Sequence, residues 1–128
     1  AHTKNLFLRD KKRNFFLFSC LDNQEVDLKE IKNVISCQGN LSFGSPDYLY
    51  DKLGVRPGSV SPYALINDTE NSVTFYLDKD IIKFDLCNFH PLDNTKTIQV
   101  KTEDFINFIK SITKVQLIDL KTKEIAGI

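Results

Sequence analysis

Apolar and polar positions divide the chain into short strands and amphipathic helical stretches. Lys4–Arg9 and Asn14–Cys20 read as two strands joined by the charged turn Asp10–Arg13. The second, NFFLFSC, is apolar on both faces, which predicts a central strand covered on both sides. Asp27 and Glu30 stand at capping-box spacing, and Leu28, Ile31, Val34 and Ile35 follow at helical period. A helix is expected there, ended by Gly39, with a short strand at Leu41–Phe43. Ser45 followed by Pro46 has the form of an N-cap and first-turn proline. Tyr48, Leu49 and Leu53 extend that helix until Gly54 stops it.

Further on, Val73–Leu77 predicts a strand, Lys79–Lys83 a helical turn, and Asp85–Phe89 and Ile98–Val100 two more strands. Thr102 is expected to cap a helix whose Phe105, Phe108, Ile109 and Ile112 share one face, and Val115–Leu120 is expected to be the last strand. A hairpin opens the chain, and several strands follow one another without a long crossover. This order predicts an α+β fold: a mixed sheet, open or rolled into a barrel, with helices packed outside. No strand runs into GxGxxG or GxxxxGK[ST], which argues against a doubly wound nucleotide-binding fold.

The 128 residues suit a single domain with a core of its own. Seventeen basic residues balance seventeen acidic ones, so broad nonspecific attraction to nucleic acid is not expected, although a local basic patch remains open. Cys20, Cys37 and Cys87 form an odd set without CxxC spacing, which reads as reduced thiols in a cytoplasmic protein. No apolar run reaches transmembrane length, and no signal-peptide pattern opens the chain. The strand pattern begins almost at once, as expected of a domain that lacks upstream elements.

Candidate chemistry concentrates in few places. Leu53–Pro62, LGVRPGSVSP, holds two glycines, two prolines and two serines between apolar segments. Glycine permits backbone conformations closed to other residues, while proline fixes φ and removes a donor. Such a loop is bent and stiff, suited to holding a ligand against backbone groups, but it also fits an ordinary connector. Alternation in Asp85–His90 puts Cys87 and Phe89 on the core face and Leu86, Asn88 and His90 on the other, so Cys87 and His90 diverge and do not form a nucleophilic pair. His90 is either a site residue or a turn residue beside Pro91. With no HxxxH, HExxH or paired CxxC, no metal and no cofactor are expected. The run Arg9, Lys11, Lys12, Arg13 reads as a solvated turn more readily than as a phosphate contact. Lys4 shares a strand face with Leu6 and Leu8, making it a candidate for a partly enclosed ammonium or a surface lysine at an edge.

Three segments together resemble one family: HTKNLFLRD (His2–Asp10), LGVRPGSVSPYALIND (Leu53–Asp68) and NFHPLDNTKT (Asn88–Thr97). In order and spacing they are similar to the YbaK/ProXp superfamily of prolyl-tRNA-synthetase-associated editing domains. LSFGSPDYL and the stretch TEDFINFIKSI also fit, so the resemblance covers nearly the whole chain. It implies a mixed, barrel-like sheet surrounded by helices and a free-standing or fused aminoacyl-tRNA deacylase. The Lys-Asn-Leu-Phe-Leu form and the Phe-His-Pro-Leu-x-Asn-Thr segment resemble the alanine-specific branch, whose members hydrolyse Ala-tRNA(Pro). The cysteine-specific branch resembles the chain less at the residue after the lysine.

The resemblance implies catalytic roles for Lys4, Asn5 and His90, and a pocket-bordering role for Gly58, Ser59, Val60, Ser61 and Pro62, the GxxxP loop. Leu41, Phe43, Ser61 and Phe89 are candidates for the pocket floor. Members of the family usually carry about one helix and one strand before the lysine, so residues 1–128 are expected to be one editing domain without them. The implied partners are tRNA(Pro) mischarged with alanine and prolyl-tRNA synthetase in cis or in trans; a monomer without membrane association is expected. Two alternatives stay open. One is action on Cys-tRNA(Pro) or another small aminoacyl-tRNA; the other is a noncatalytic module that binds tRNA or a synthetase.

Overall fold

β1 (Thr3–Arg9) and β2 (Phe15–Leu21) form the expected antiparallel hairpin, in register from Thr3 opposite Leu21 to Arg9 opposite Phe15. The computed structural model describes residues 1–89 and 97–128. β2 then pairs in parallel with β4 (Val73–Asp78), and β4 in parallel with β7 (Val115–Asp119). Short β3 (Ser42–Phe43) lies outside β1, and β8 (Glu124–Gly127) outside β7. The result is one mixed sheet in the order β3-β1-β2-β4-β7-β8.

A second ribbon, β5 (Leu86–Phe89) with β6 (Ile98–Lys101), joins the sheet through the first residues of the chain. His2 bridges Asn88 in parallel, the Asn88 N–H donates to the Ala1 carbonyl, and the Thr3 hydroxyl donates to the Asn88 carbonyl at 2.6 Å. The same edge of β1 therefore meets β5 at its start and β3 at its end.

Six of the seven β2 residues are buried, because both faces of the sheet are covered. On one face Phe7, Phe15, Leu17, Phe75 and Leu77 pack against α2 (Pro46–Leu53), a 3₁₀ helix at Pro62–Asn67, β5 and α3 (Thr102–Ile112). On the other, Leu8, Phe16, Phe18, Cys20 and Tyr76 pack against Ile31 and Ile35 from α1 (Leu28–Val34) and its C-cap. Burying a large apolar side chain contributes roughly 1.5–3 kcal/mol, so this two-sided closure is the main stabilising term.

The helix starts follow local chemistry. Ser45 accepts from the Tyr48 N–H with Pro46 behind it, and Asp27 accepts from the Lys29 N–H. Gly54, at φ +68°, caps α2 as expected.

Three expectations need correction. α1 stops at Val34 rather than running to Gly39, because the Gln38 N–H is taken by Asp10 and the Gln38 carbonyl by the Lys11 N–H, drawing that segment onto the hairpin turn. Thr102 is the first helical residue and not a cap; its N–H donates to the Asp85 carbonyl, since β6 runs straight into α3. β8 follows the expected last strand. Its four residues are all exposed, so no apolar pattern marked it.

Asp10 organises the hairpin turn. Its buried carboxylate accepts from Lys12 N, Asn14 N, the Asn14 amide and Gln38 N, at 2.8–2.9 Å. Desolvation pushes its pKa up, but these four bonds, led by the Asn14 amide, outweigh it and hold the carboxyl below the ordinary aspartate range. This stability is present above the unfolded-state value of 3.8 and is lost as pH falls through the lower folded value. Asp10→Asn replaces an acceptor oxygen with a donor facing donors. It is expected to cost about 2 kcal/mol at neutral pH and to flatten the acid limb of the stability profile, measured by urea denaturation across pH.

Candidate functional site

The loop after α2 is built from conformations that its sequence enforces. Ser59 N donates to the Arg56 carbonyl at 3.0 Å, closing a turn with Pro57 second and Gly58 third at φ +92°. Positive φ at that position with proline before it is the pattern of a type II turn. Ser61, fully buried, then accepts from Tyr63 N and starts the 3₁₀ helix with Pro62 as its first residue. Tyr63 packs edge-on against Phe89 and Phe105, with ring centroids 6.2 and 5.9 Å apart. Phe89 and Phe105 stack on each other at 4.3 Å. Two elements far apart in sequence, β5 and α3, thereby anchor the far end of the loop.

Its middle is tied to β1. The Asn5 amide nitrogen donates to the Val60 carbonyl at 3.2 Å, and the Asn5 amide oxygen accepts from the Ser19 hydroxyl. Asn5 and Ser19 are direct cross-strand partners, and Ser19 is fully buried. Of the sequence-predicted residues, the structure thus brings together Asn5 and the GSVSP loop.

Lys4 lies on the opposite face. It stands across from Cys20, and its ammonium donates to the Gln24 carbonyl. Burial pushes the Cys20 thiol up to about 12, with the Lys4 ammonium pulling against this and Asp78 and Asp22 adding to it. Adjacent residues on a strand point to opposite sides, so Lys4 and Asn5 share a position along β1 without sharing a pocket wall. His90 lies outside the described residues. Leu41 belongs to the α1 side of the sheet and Phe43 is exposed, whereas Ser61 and Phe89 lie on the loop side; these four do not form one floor. A cavity of about 490 Å³ between β5 and the start of α3, lined by Ile82, Phe84, Leu86 and Ile106 among others, contains none of the predicted site residues.

Two polar residues near Lys4 and Asn5 are not among the expected site residues. Ser19 interrupts the apolar run FFLF, and that interruption was its only signal. Asp78, at the carboxyl end of β4, is buried on the Cys20 side; one of its oxygens accepts from Asp80 N and the other has no partner among the described residues. Desolvation raises its pKa, opposed first by the Asp80 N–H and reinforced by the Asp80 and Asp119 charges. Among the described residues no group of His, Cys, Asp and Glu is arranged to hold a metal ion, and no helix is long and apolar enough to cross a membrane.

A model described as an aminoacyl-tRNA editing domain matches residues 1–108. The mouse prolyl-tRNA synthetase associated domain-containing protein 1 is 34% identical over 115 residues, covering 87% of this chain and 68% of that protein. The prolyl-tRNA editing protein ProX of Acetoanaerobium sticklandii is 36% identical over 109 residues, covering 84% and 66%. The chain therefore spans about two thirds of the length of these relatives. In fold it matches the crystal structure of a candidate trans-editing enzyme for prolyl tRNA synthetase with a TM-score of 0.73 at 17% identity, over 92% of this chain and 68% of that one.

Asp78 supplies a test of the buried charge. Its folded pKa lies above the unfolded 3.8, so its contribution opposes folding once pH rises past the unfolded value. Asp78→Asn is expected to raise the urea midpoint at neutral pH and to leave it nearly unchanged in acid below the ordinary aspartate range.

Proposed function

This chain belongs to the aminoacyl-tRNA editing domain family, and on that premise we propose that it hydrolyses tRNA(Pro) mischarged with alanine. The observation that carries this reading is the Asn5–Val60 hydrogen bond, which joins the KNLFL motif to the GSVSP loop. A loop held by its own carbonyl, with a proline-glycine turn on one side and an anchored 3₁₀ helix on the other, makes a wall of fixed position. A wall of that kind excludes a ring as large as proline by clash while admitting a methyl group, and exclusion discriminates more strongly than the loss of one methylene.

The chemistry needs no metal. An aminoacyl ester is already activated, so what remains is to hold it, orient a water and stabilise charge at the carbonyl. The Lys4 ammonium uses one of its three donors on Gln24; the others suit a terminal phosphate or ribose oxygen of the CCA end. Asn5 and the loop backbone orient the ester and its amino group. His90 fixes substrate or water, and a terminal ribose hydroxyl assists the attack. In this reading the domain acts as a monomer, with prolyl-tRNA synthetase as its protein partner in cis or in trans.

The test is a deacylation assay on Ala-, Cys- and Pro-tRNA(Pro) with protein from the full reading frame. Ala-tRNA(Pro) is expected to be cleaved, Pro-tRNA(Pro) spared, and Lys4→Ala to lower kcat/KM about 10²-fold. Equal rates for wild type and Lys4→Ala would remove the role given to Lys4. Preference for Cys-tRNA(Pro) would transfer the specificity. Tight tRNA binding without hydrolysis would make the domain a noncatalytic module.

A further inference from the structure

A serine at the centre of a buried apolar strand needs a reason. Ser19 has no exposed surface and is flanked by Phe18 and Cys20, where an unpaired hydroxyl would be costly. Its partner is the Asn5 amide oxygen, and the direction of that bond is dictated from the other end. The Val60 carbonyl can only accept, so Asn5 must present its nitrogen to the loop; its oxygen then points back to β2 and requires a donor. Ser19 is that donor.

We infer that Ser19 is the positioning residue that sets the width of the acyl pocket, and through it the preference for small aminoacyl groups. The inference rests on the deacylase reading above. Without the Ser19 hydroxyl the Asn5 amide oxygen faces β2 with no donor, and the amide is held from the loop side alone. It shifts toward another donor for that oxygen, and its bond to the Val60 carbonyl weakens. Val60 stands between the Gly58 turn and the buried Ser61 cap, both locally closed, so a displaced Val60 carries the wall with it. The wall then moves away from β1 and bulkier acyl groups enter. Ser19 touches neither the ester nor the water; it acts through Asn5.

The test compares Ser19→Ala and Ser19→Thr with wild type in the full-length protein. Two quantities are read: kcat/KM for tRNA(Pro) carrying alanine against tRNA(Pro) carrying valine, and hydrogen exchange of the Ser59–Ser61 amides. Ser19→Ala is expected to reduce the alanine preference about tenfold and to speed exchange in the loop, while Ser19→Thr keeps both near wild type. Should the alanine variant not fold, Ser19→Cys, close in size but a weak donor, is read the same way and is expected to lose preference. A folded alanine or cysteine variant with unchanged preference overturns the inference alone, as does a threonine variant that loses as much as alanine. A wild-type protein inert toward every aminoacyl-tRNA overturns this inference and the deacylase reading together.

Discussion

The constraint on which the structure depends is the complete burial of β2. A strand apolar on both sides must have partners at both edges and covers on both faces. β1 and β4 supply the edges, α1 one cover, and α2, the 3₁₀ helix at Pro62–Asn67, β5 and α3 the other. The crossovers to parallel β4 and β7 are long because each must carry covering elements over the sheet. The candidate residues on β1 take their position from this arrangement: Lys4 and Asn5 lie on opposite faces because β1 pairs with β2 in a register that gives each face its own layer.

Within that frame the GSVSP loop is held by three kinds of force. Backbone geometry closes the Gly58 turn, a side-chain amide reaches its centre from β1, and an aromatic cluster around Tyr63 fixes its far end. None alone would hold a loop of this length in one conformation. Together they leave it little freedom, which is what the wall proposed above needs, since discrimination by clash vanishes when the wall can yield.

Charge is used in two opposite ways. Asp10 is buried among four donors and is stabilised as a carboxylate, so it closes a turn and captures the segment after α1. Asp78 is equally buried but leaves one oxygen without a partner among the described residues. The first belongs to the architecture. The second sits where the parallel strands end, on the Lys4 side, and opposes folding at neutral pH. With equal numbers of acidic and basic residues overall, such local differences, and not net charge, decide what each group does.

Much of the fold could be read from residues whose signals are local. NFFLFSC announced a strand buried on two sides, Ser45–Pro46 a helix start, Gly54 a helix stop, and the alternation in Leu86–Phe89 which side of β5 enters the core. The sequence also marked Leu53–Pro62 as bent and stiff, because proline and glycine act through their own backbones. What it could not show depends on contacts between distant segments. The early end of α1 depends on Asp10, 28 positions from Gln38, and the satisfaction of Thr102 N–H on Asp85 across the ribbon. β8 has no buried face to leave a pattern. The separation of Lys4 from Asn5, and the Ser19–Asn5–Val60 chain, exist only once β1, β2 and the loop are in place. Propensity and capping are encoded residue by residue, whereas a hydrogen bond across 55 positions is decided by the tertiary structure that brings its ends together.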